Sequence, residues 1–382
     1  MIIQEEYDLN IYVDGLNIFD ANGVILIKGE ITEAIGNPIP ACLLELSVPI
    51  GWLDERSIVD GTLIEYEIKN PKLNIQERLK FRLFNINKIE INQRFAKVEM
   101  QGLLDFYEGY GHSNEFNMYA NSSDVFKQIA NTFKLESNID DTNDAQLWVA
   151  GENNLYQFMM NMATYGWVDE TSAMFWCMDR HKILLYKNFT SLLRKRSSHI
   201  GQFLQQIYTD PSEKIYGYSK SNATIMSGTE NIINGGYGGE DHCFNLLDYD
   251  WQEISAKKVI AESNLINISK DLSHGLAQSF YPFDVGNFHS NYYKAKKQNS
   301  RILSTYSTYV NVAATYFMPY RLGQIVNFQF TDAQDLDNKV KSMSGVFSIC
   351  AIKINIDMKA ITCYLQLVMQ GLNGQAITRE TY

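Results

Sequence analysis

The sequence is poor in the residues that mark unusual classes of protein. It has only 7 Pro and 24 Gly among 382 residues, which argues against a low-complexity chain. No stretch approaches the roughly 18 apolar residues of a membrane-spanning helix. Residues 1–6 have neither the basic start nor the apolar core of a signal peptide. We therefore expect a globular protein that is made in a cytoplasm and does not insert into a membrane by itself.

Cysteines are few, odd in number and scattered. The five are Cys42, Cys177, Cys243, Cys350 and Cys363. This pattern does not suggest a disulfide framework, so we interpret them as reduced thiols. Cys177 lies four residues before His181, but a zinc site needs more ligands and no second pair accompanies them. The sequence predicts no metal site.

Basic residues are outnumbered by acidic ones. The chain has 33 Lys and Arg against 44 Asp and Glu, a formal net charge of −11. Surfaces that grip nucleic acid need clustered cations. The only dense basic run, Arg194-Lys195-Arg196, is interpreted as a solvated loop. The composition thus argues against sequence-specific nucleic-acid binding.

Motifs of catalysis are also missing. The chain has no Gly-rich phosphate loop, no Gly-x-Ser-x-Gly elbow and no His-Glu-x-x-His helix. The acidic residues Asp140, Asp141 and Asp144 lack the Gly and Glu of a calcium hand, so we interpret them as a solvated loop between helices. The six His residues do not cluster in sequence, which leaves a triad assembled in space open. We predict no catalytic, cofactor-binding or metal-binding residue, and no enzyme.

The C-terminal part of the sequence alternates apolar and polar residues. Val326, Phe328 and Phe330 share one face of a predicted strand. The same period of two continues through residues 351–357 and 361–369. Alternation over this length indicates half-buried antiparallel strands.

The first hundred residues have the same period. Six strands with short turns are predicted between residues 9 and 104, which favours a barrel or a sandwich. A strand led by Gly61, a strand after a polar insert and a closing strand follow one another here, as they do after Gly323. This shared order predicts an internal repeat: two related barrels, one at each end of the chain.

Helical spacing appears in the middle of the chain. One helix is predicted after the cap-like cluster Ser122-Ser123-Asp124, and a second from Leu155 to a stop at Gly166. A hairpin follows, with its turn at Asp179-Arg180-His181. Further on, Trp251 to Leu265 has the pattern of a short helix.

Two of these stretches resemble one protein family. A Gly before a Val-x-Phe strand, then Ser344-Gly345-Val346-Phe347-Ser348-Ile349, then a strand with Tyr364-x-Leu-x-Leu, resembles the last barrel of phage tail hub proteins. The helix ending in Tyr165-Gly166-Trp167 resembles a segment that joins the barrels of those proteins. The family is the baseplate central hub of contractile-tailed bacteriophages, related to the hub half of type VI secretion spike proteins. The resemblance in order and length covers nearly the whole chain.

Pattern and resemblance together predict a mainly β protein with α+β insertions. It would have two tube-like antiparallel β-barrels plus an inserted helix-helix-hairpin domain. The predicted ranges are 1–106 for the first tube-like β-barrel, 107–205 for the inserted α+β domain, 206–245 and 300–373 for the second tube-like β-barrel, 246–299 for an insertion in it, and 374–382 for a C-terminal tail.

The resemblance implies a structural virion protein of the tail baseplate. It implies a homotrimer, in which two barrels per subunit make a pseudo-six-fold ring that adapts a six-fold tail tube to a three-fold spike and forms a conduit for DNA ejection. The implied partners are a tail spike protein below and a tail tube or tube-initiator protein above, with the tape-measure protein and the baseplate wedge as further candidates. Because no oligonucleotide-fold barrel or β-helix follows the last strand, the spike is expected to be a separate protein.

The acidic residues of the barrels lead to a further expectation. Glu45, Glu65, Glu67 and Asp357 lie on polar strand faces, so an acidic or neutral bore that repels phosphate is predicted. The alternative is that these acids lie outside and keep the protein soluble.

Two other classes of function stay open at this point. One is a tail-associated lytic enzyme that degrades peptidoglycan. The other is a glycan-binding tail accessory protein, for which the aromatic fraction of 13% would serve. A lysis assay and a glycan array would separate both from the hub.

Overall fold

The computed structural model describes most of the chain. The described residues are 7–90, 94–106, 109, 116–151, 154–169, 172–194, 201–205, 214–225, 240–245, 250–255, 278–283, 288–292, 295, 308–315, 317–329, 331–332, 335–339, 344–358 and 360–369. Strands dominate these ranges, and the helices are few and short.

The strands and helices have the following bounds. The strands are β1 (Asp8–Val13), β2 (Leu16–Asn17), β3 (Ile25–Ala34), β4 (Asn37–Pro49), β5 (Leu63–Asn70), β6 (Ile75–Glu90), β7 (Phe95–Leu104), β8 (Asn117–Ala120), β9 (Ser137–Ile139), β10 (Gln146–Val149), β11 (Met174–Met178), β12 (Leu184–Asn188), β13 (Gly201–Gln205), β14 (Ile215–Ile225), β15 (Glu240–Asn245), β16 (Asp250–Ser255), β17 (Gln278–Phe283), β18 (Thr308–Ala314), β19 (Ile325–Phe328), β20 (Thr331–Asp332), β21 (Asp335–Lys339), β22 (Gly345–Ile356) and β23 (Ile361–Met369). The helices are α1 (Trp52–Glu55), α2 (Ser122–Thr132), α3 (Leu155–Tyr165) and α4 (Phe189–Arg194).

One 13-stranded sheet contains most of the strands. Its order is β19-β13-β14-β18-β23-β22-β3-β4-β7-β6-β5-β1-β2, and β19 also pairs with β22. That extra pairing closes β19, β13, β14, β18, β23 and β22 into a six-stranded barrel. The chain is therefore mainly β with helical insertions, as the sequence predicted.

The two halves of this sheet repeat one strand order. Along the chain, the first half contributes β1, β3, β4, β5, β6 and β7, and the second contributes β13, β14, β18, β19, β22 and β23. The six strands of each half are numbered here from first to sixth along the chain. In both halves their order across the sheet is second, third, sixth, fifth, fourth, first. The internal repeat predicted from the strands after Gly61 and Gly323 is thus confirmed in strand order.

The first strand is where the halves differ. β13 runs parallel to both β14 and β19 and so closes the second barrel. β1 runs antiparallel to β5, and no pairing with β3 occurs among the described residues. The first half consequently stays open on the side where the second half is closed.

β22 joins the two halves because one of its edges changes partner along its length. Residues 345–348 pair with β19, whereas residues 351–356 pair antiparallel with β3. At the end of this contact Gly29 lies opposite Ile356, and a Cβ on Gly29 would lie 3.2 Å from the Ile356 Cβ. The result is one continuous eight-stranded run, β14-β18-β23-β22-β3-β4-β7-β6, which we call the joined sheet.

The middle of the chain forms a smaller unit against the barrels. Its core contains the apolar faces of α2 and α3, which include Phe126, Ile129 and Phe158. The hairpin β11–β12 is buried between this core and the core of the barrels. The two predicted helices and the hairpin are present, and α2 begins at Ser122, so its N-cap is Asn121 rather than the Ser122 cluster.

One predicted helix is wrong. Residues 250–255 form β16, which pairs antiparallel with β15 in a three-stranded sheet with β17. Pairing with β15 overrides the local helical pattern of Trp251 to Leu265. Residues 256–265 lie outside the described part of the chain.

Strand pairing also bears on the predicted domain ranges. β13 was assigned to the inserted domain but pairs with strands of the second barrel. β15 was assigned to the second barrel, whereas it pairs in the separate sheet with β16 and β17. The division of the chain into domains stays a prediction, with these pairings as a guide to its boundaries.

Phe328 provides a test of the second barrel's core. Its side chain is fully buried, with ring centroids 5.1 Å from Tyr218 and 5.7 Å from Phe347. Phe328→Asp would place an unpaired charge among these rings, at a cost of at least several kcal/mol. We expect a large fall in the apparent melting temperature or loss of soluble protein. The control is Asn327→Asp, on the half-exposed opposite face of β19, which should melt nearly as the parent. Unchanged melting of Phe328→Asp would contradict the assigned face.

Candidate functional site

The joined sheet has a polar face opposite its apolar core. The residues of this polar face, which lie opposite one another across successive strands, are Asn311, Tyr364, Gln366, Lys353, Asn355, Lys28, Glu30, Thr32, Glu45, Lys97, Glu99, Gln101, Asn85 and Asn87. The period of two places them there, because the neighbouring residues of each strand face the core. The polar face spans both halves of the chain.

Charges on the polar face are paired across strands. Glu30 lies 2.8 Å from Lys28 Nζ and 2.9 Å from Lys353 Nζ, and so connects β3 with β22. Glu45 lies 2.8 Å from Lys97 Nζ, between β4 and β7. Burial raises the pKa of Glu30, but the hydrogen bonds and charges of the two lysines outweigh burial and leave the pKa below its usual range. Glu30 therefore stays ionised, and the face is a lattice of matched charges.

A groove of about 550 Å³ opens on the polar face where the two halves meet. It lies over β18, β23, β22 and β3, and Thr32, Lys353, Asn355, Tyr364 and Gln366 line it. Gln366 Nε2 donates a hydrogen bond to Asn311 Oδ1 at 3.3 Å along its floor. The groove is broad and open, and its lining is mostly neutral.

The four acids predicted on polar strand faces have distinct surroundings. Glu45 is on the polar face of the joined sheet, whereas Glu65 and Glu67 are on β5, which lies beyond that sheet. Asp357 follows β22 and accepts a hydrogen bond from the Ala360 backbone N–H at 2.7 Å. The structure thus places one of the four on the polar face and one at the hairpin turn after β22.

Both glutamates of β5 are held by cations. Glu65 lies 2.9 Å from Lys80 Nζ and 3.3 Å from Arg78, and Glu67 lies 2.9 Å from Lys69 Nζ. Burial raises the pKa of Glu65, but Lys80 and Arg78 outweigh it and the pKa falls below its usual value. The hydrogen bond from Lys69 lowers the pKa of Glu67. These acids are ionised and neutralised locally rather than forming an uncompensated acidic patch.

A buried charge cluster connects the hairpin turn to both halves. Arg180 and Glu33 side chains are each 1% exposed, and Glu77 is 4% exposed. Arg180 Nε donates to Glu77 Oε2 at 3.1 Å, its Nη1 donates to Glu33 and to the Tyr320 carbonyl, and its backbone N–H donates to Glu33 Oε2 at 2.8 Å. The three side chains come from the β11–β12 turn, β3 and β6. One guanidinium therefore fixes three separate parts of the chain.

The two carboxylates of the cluster differ in their electrostatics. Burial raises the pKa of Glu33, and the charge of Arg180 opposes this without overcoming it. Burial also acts on Glu77, but His181 and Arg180 together lower the pKa of Glu77. His181 Nε2 lies 3.2 Å from Glu77 Oε2. Arg180, Glu33 and Glu77, which we call the Arg180 cluster, are buried away from solvent, so they can stabilise the fold but are not accessible to a substrate.

Sequence reasoning did not find this cluster, although a signal was present. Glu33 is two residues after Ile31, and Glu77 is two residues from both Ile75 and Leu79. Because side chains two apart in a strand share a face, both carboxylates occupy core-facing positions. A charge at such a position needs a buried partner. Arg180 stood in a predicted turn, where charged residues are ordinary.

The acidic loop before β10 is less solvated than predicted. Asp144 is fully buried and accepts hydrogen bonds from the Ser122 backbone N–H at 2.8 Å, from the Thr142 hydroxyl at 2.7 Å and from the Trp167 backbone N–H at 3.0 Å. It satisfies the first N–H of α2 and complements the helix dipole. Asp141 is exposed and pairs with Lys127 at 2.7 Å. The solvated-loop interpretation is right for Asp141 and wrong for Asp144.

Candidate metal ligands do not converge in the described part of the chain. Cys177 is fully buried and burial raises its pKa, which disfavours the thiolate that a metal would need. His181 faces Glu77, as described above. Among the described residues no group of three or more His, Cys, Asp and Glu side chains could hold a metal ion. His112, His199 and His274 lie outside the described residues.

Long apolar helices are also missing from the described ranges. No helix there is long and apolar enough to span a membrane.

Sequence comparison finds no match, whereas structure comparison finds proteins of similar fold. No protein-family model and no curated protein matches the sequence. The 43 kDa tail protein of prophage MuSo2 from Shewanella oneidensis is similar in structure, with a TM-score of 0.57 at 10% identity, covering 94% of this chain and 96% of that protein. The tail protein from Neisseria meningitidis MC58 gives 0.58 at 10% identity, with 95% and 96% covered.

A third structure of similar fold comes from a protein complex. A chain of a lidless PdpA–VgrG complex gives a TM-score of 0.50 at 12% identity, covering 96% of this chain and 64% of that one. At such identities the likeness concerns the fold. The fold of this chain is thus that of phage tail proteins, as the sequence resemblance predicted.

Arg180→Met tests whether the cluster of Arg180, Glu33 and Glu77 stabilises the fold. Removing the guanidinium leaves Glu33 and Glu77 buried without their cation, and breaking a buried pair in this way costs roughly 3–5 kcal/mol. We expect a clearly lower apparent melting temperature. Arg321→Met is the matched control, because Arg321 is 45% exposed and its partner Asp179, at 2.7 Å, also accepts hydrogen bonds from the His181 and Ile183 backbone N–H groups, so the loss of stability should be small.

A second variant keeps this test decisive. Adding Glu33→Gln and Glu77→Gln to Arg180→Met removes the uncompensated charge and should recover part of the melting temperature. Equal stability of Arg180→Met and Arg321→Met would show that the cluster does not hold the parts of the chain together.

Proposed function

We propose that the protein is the central hub of a phage tail baseplate, a structural component of the virion. The observation that carries this proposal is the likeness of fold to two tail proteins, each matched over 96% of its own length. The repeated strand order is the physical reason such a fold suits a hub, because each chain brings two equivalent halves to an assembly. We assign the protein no catalytic role.

In this proposal three copies form a ring with six equivalent halves. Such a ring presents approximate six-fold symmetry to a tail tube or tube-initiator protein above and true three-fold symmetry to a spike protein below. Closed symmetric rings also cover strand edges that would otherwise be exposed. The tape-measure protein and the baseplate wedge are further proposed neighbours.

The polar face of the joined sheet is the proposed lining of the conduit for DNA ejection. The residues named above for this face include three lysines and three glutamates, Lys28, Lys97, Lys353, Glu30, Glu45 and Glu99, and the formal charges of this set balance. A balanced lining does not attract phosphate strongly, because affinity for DNA follows the number of cations available to neutralise it. The lining would then be neutral rather than acidic, with the excess of acids elsewhere on the ring.

The trimer can be tested by mass. Full-length protein at high concentration, alone and with its candidate spike protein, should show a species of three times the 43.8 kDa chain. Sedimentation or native mass spectrometry would measure it. A strict monomer under both conditions would contradict the hub. Peptidoglycan lysis or specific retention on a glycan array would favour the lytic or glycan-binding alternative instead.

The proposed neutral lining can be tested by removing the carboxylates that pair with its lysines. Glu30→Gln with Glu45→Gln leaves Lys28, Lys353 and Lys97 without carboxylates, so the assembled ring should gain affinity for short duplex DNA at low salt and lose it at higher salt. The parent should show no such binding in an electrophoretic mobility assay.

A matched control is available on β5. Glu65→Gln with Glu67→Gln changes the net charge equally and releases Lys80, Arg78 and Lys69, which are not among the residues named for the polar face. DNA protected from nuclease inside the ring is expected for the first pair and not for the second. Equal behaviour of the two pairs, or strong binding by the parent, would contradict the proposed lining.

A further inference from the structure

A short segment of the insertion predicted at residues 246–299 lies against the smaller unit in the middle of the chain. This segment, residues 288–292, follows β17 after four residues, and we call it the strap. The His289 backbone N–H donates to Oε1 of the buried Gln146 on β10 at 3.0 Å. His289 Nε2 lies 3.0 Å from the carbonyl oxygen of Tyr165, the last residue of α3. The strap thus connects the insertion to two elements more than a hundred residues earlier in the chain.

Stacked aromatic rings make the rest of this contact. Tyr292 lies flat on Tyr165, with ring centroids 3.8 Å apart and an angle of 4° between the ring planes. Phe288 also stacks on Tyr292, with centroids 4.2 Å apart at 26°. Two rings this close cannot share one face of Tyr292, so the three rings form a ladder. Such stacking stabilises a contact beyond the burial of the rings, and it holds the strap beside the hydrogen bonds of His289.

The two ring nitrogens of His289 have different roles. A carbonyl oxygen can only accept a hydrogen bond, so Nε2 carries a proton and donates to Tyr165. The Asn291 backbone N–H donates to Nδ1 at 3.2 Å, so Nδ1 carries no proton. These contacts select the neutral imidazole in a single tautomer. A proton on Nδ1 would place a second donor against the Asn291 N–H and remove the hydrogen bond within the strap.

The surroundings of His289 favour the same neutral form. Burial lowers the pKa of His289, and the hydrogen bond to the Tyr165 carbonyl and the charge of Asp144 oppose burial without overcoming it. Gln146 from β10 and Tyr292 from the strap bring no carboxylate to the ring. The docked strap therefore binds a proton less readily than a detached one. Its docking is strongest at neutral pH and weakens as the pH falls below about 6.5, the ordinary pKa of histidine.

We infer that the strap is a pH-sensitive fastening: it holds the insertion on the smaller unit while His289 is neutral, and it detaches when Nδ1 takes up a proton. The strap contributes no strand to the joined sheet or to the six-stranded barrel. Mild acid would therefore move the insertion without unfolding the barrels. The fastening lies within a single chain, so this inference is independent of the hub proposal, and the failure of either leaves the other standing.

Amide hydrogen exchange measured by mass spectrometry tests the fastening in the full-length chain. Exchange times would be scaled for the intrinsic pH dependence of amide exchange, and peptides from β4 of the joined sheet would serve as the internal reference. Protection of the strap amides should fall at least about fivefold between about pH 7.5 and about pH 5, while β4 keeps its protection. Equal protection of the strap at both pH values would overturn the inference.

His289→Asn is the matched variant that does not titrate in this range. An Asn side-chain oxygen accepts a hydrogen bond from the backbone N–H two residues further on, as Nδ1 of His289 does. The strap of this variant should keep its protection to within about twofold between the two pH values. A fall as large as that of the parent would show that another group controls the strap, and would overturn the role of His289.

Tyr292→Ala provides a test that does not require the Asn variant to dock. Without the central ring of the ladder, the strap should be unprotected already at about pH 7.5, as the parent strap is at about pH 5. Titration of the His289 imidazole signals by NMR should give a pKa below the ordinary value in the parent and about 6.5 in Tyr292→Ala. An equal pKa of His289 in both proteins would overturn the coupling between the proton and the strap.

Discussion

Backbone hydrogen bonds between β22 and β3 hold the two halves of the chain in one sheet. Residues 351–356 and 29–34 make this contact, and the same edge of β22 pairs with β19 just before it. The strand therefore belongs to two structures at once: it closes a barrel with its first part and extends to the other half with its second. The bulge at Cys350 marks the change, and the Ile35 N–H donates to the Cys350 carbonyl at 2.7 Å there. The polar face, its charge lattice and the groove between the halves all follow from this joint.

The Arg180 cluster adds a second constraint of a different kind. Backbone pairing fixes the register of strands, but it does not fix how the inserted unit sits on them. A buried guanidinium does so because it is stable only where two carboxylates and a carbonyl meet it. Glu33, Glu77 and Tyr320 supply those groups from β3, β6 and the segment before β19.

Much of the fold could be predicted from local sequence patterns. The features that could not be predicted depend on contacts between residues far apart in the sequence. Period-two alternation predicted most barrel strands correctly, and the Gly61 and Gly323 segments revealed the repeat. Periodicity also located α2 and α3. The pattern of Trp251 to Leu265 was misleading because side-chain spacing within a short stretch cannot show that residues 250–255 pair with β15. Asp144 was misjudged for the same reason, since Ser122 and Trp167 reach it from more than twenty residues away.

Folding order is constrained by the position of the joint in the sequence. Residues 29–34 of β3 are synthesised long before their partner residues 351–356, so this contact has very high contact order. Until the late residues leave the ribosome, residues 29–34 of β3 lack the partner strand that later covers this edge. Polysomes would bring such chains together, and the protein's yield would depend on the late strand reaching β3 before a neighbour does.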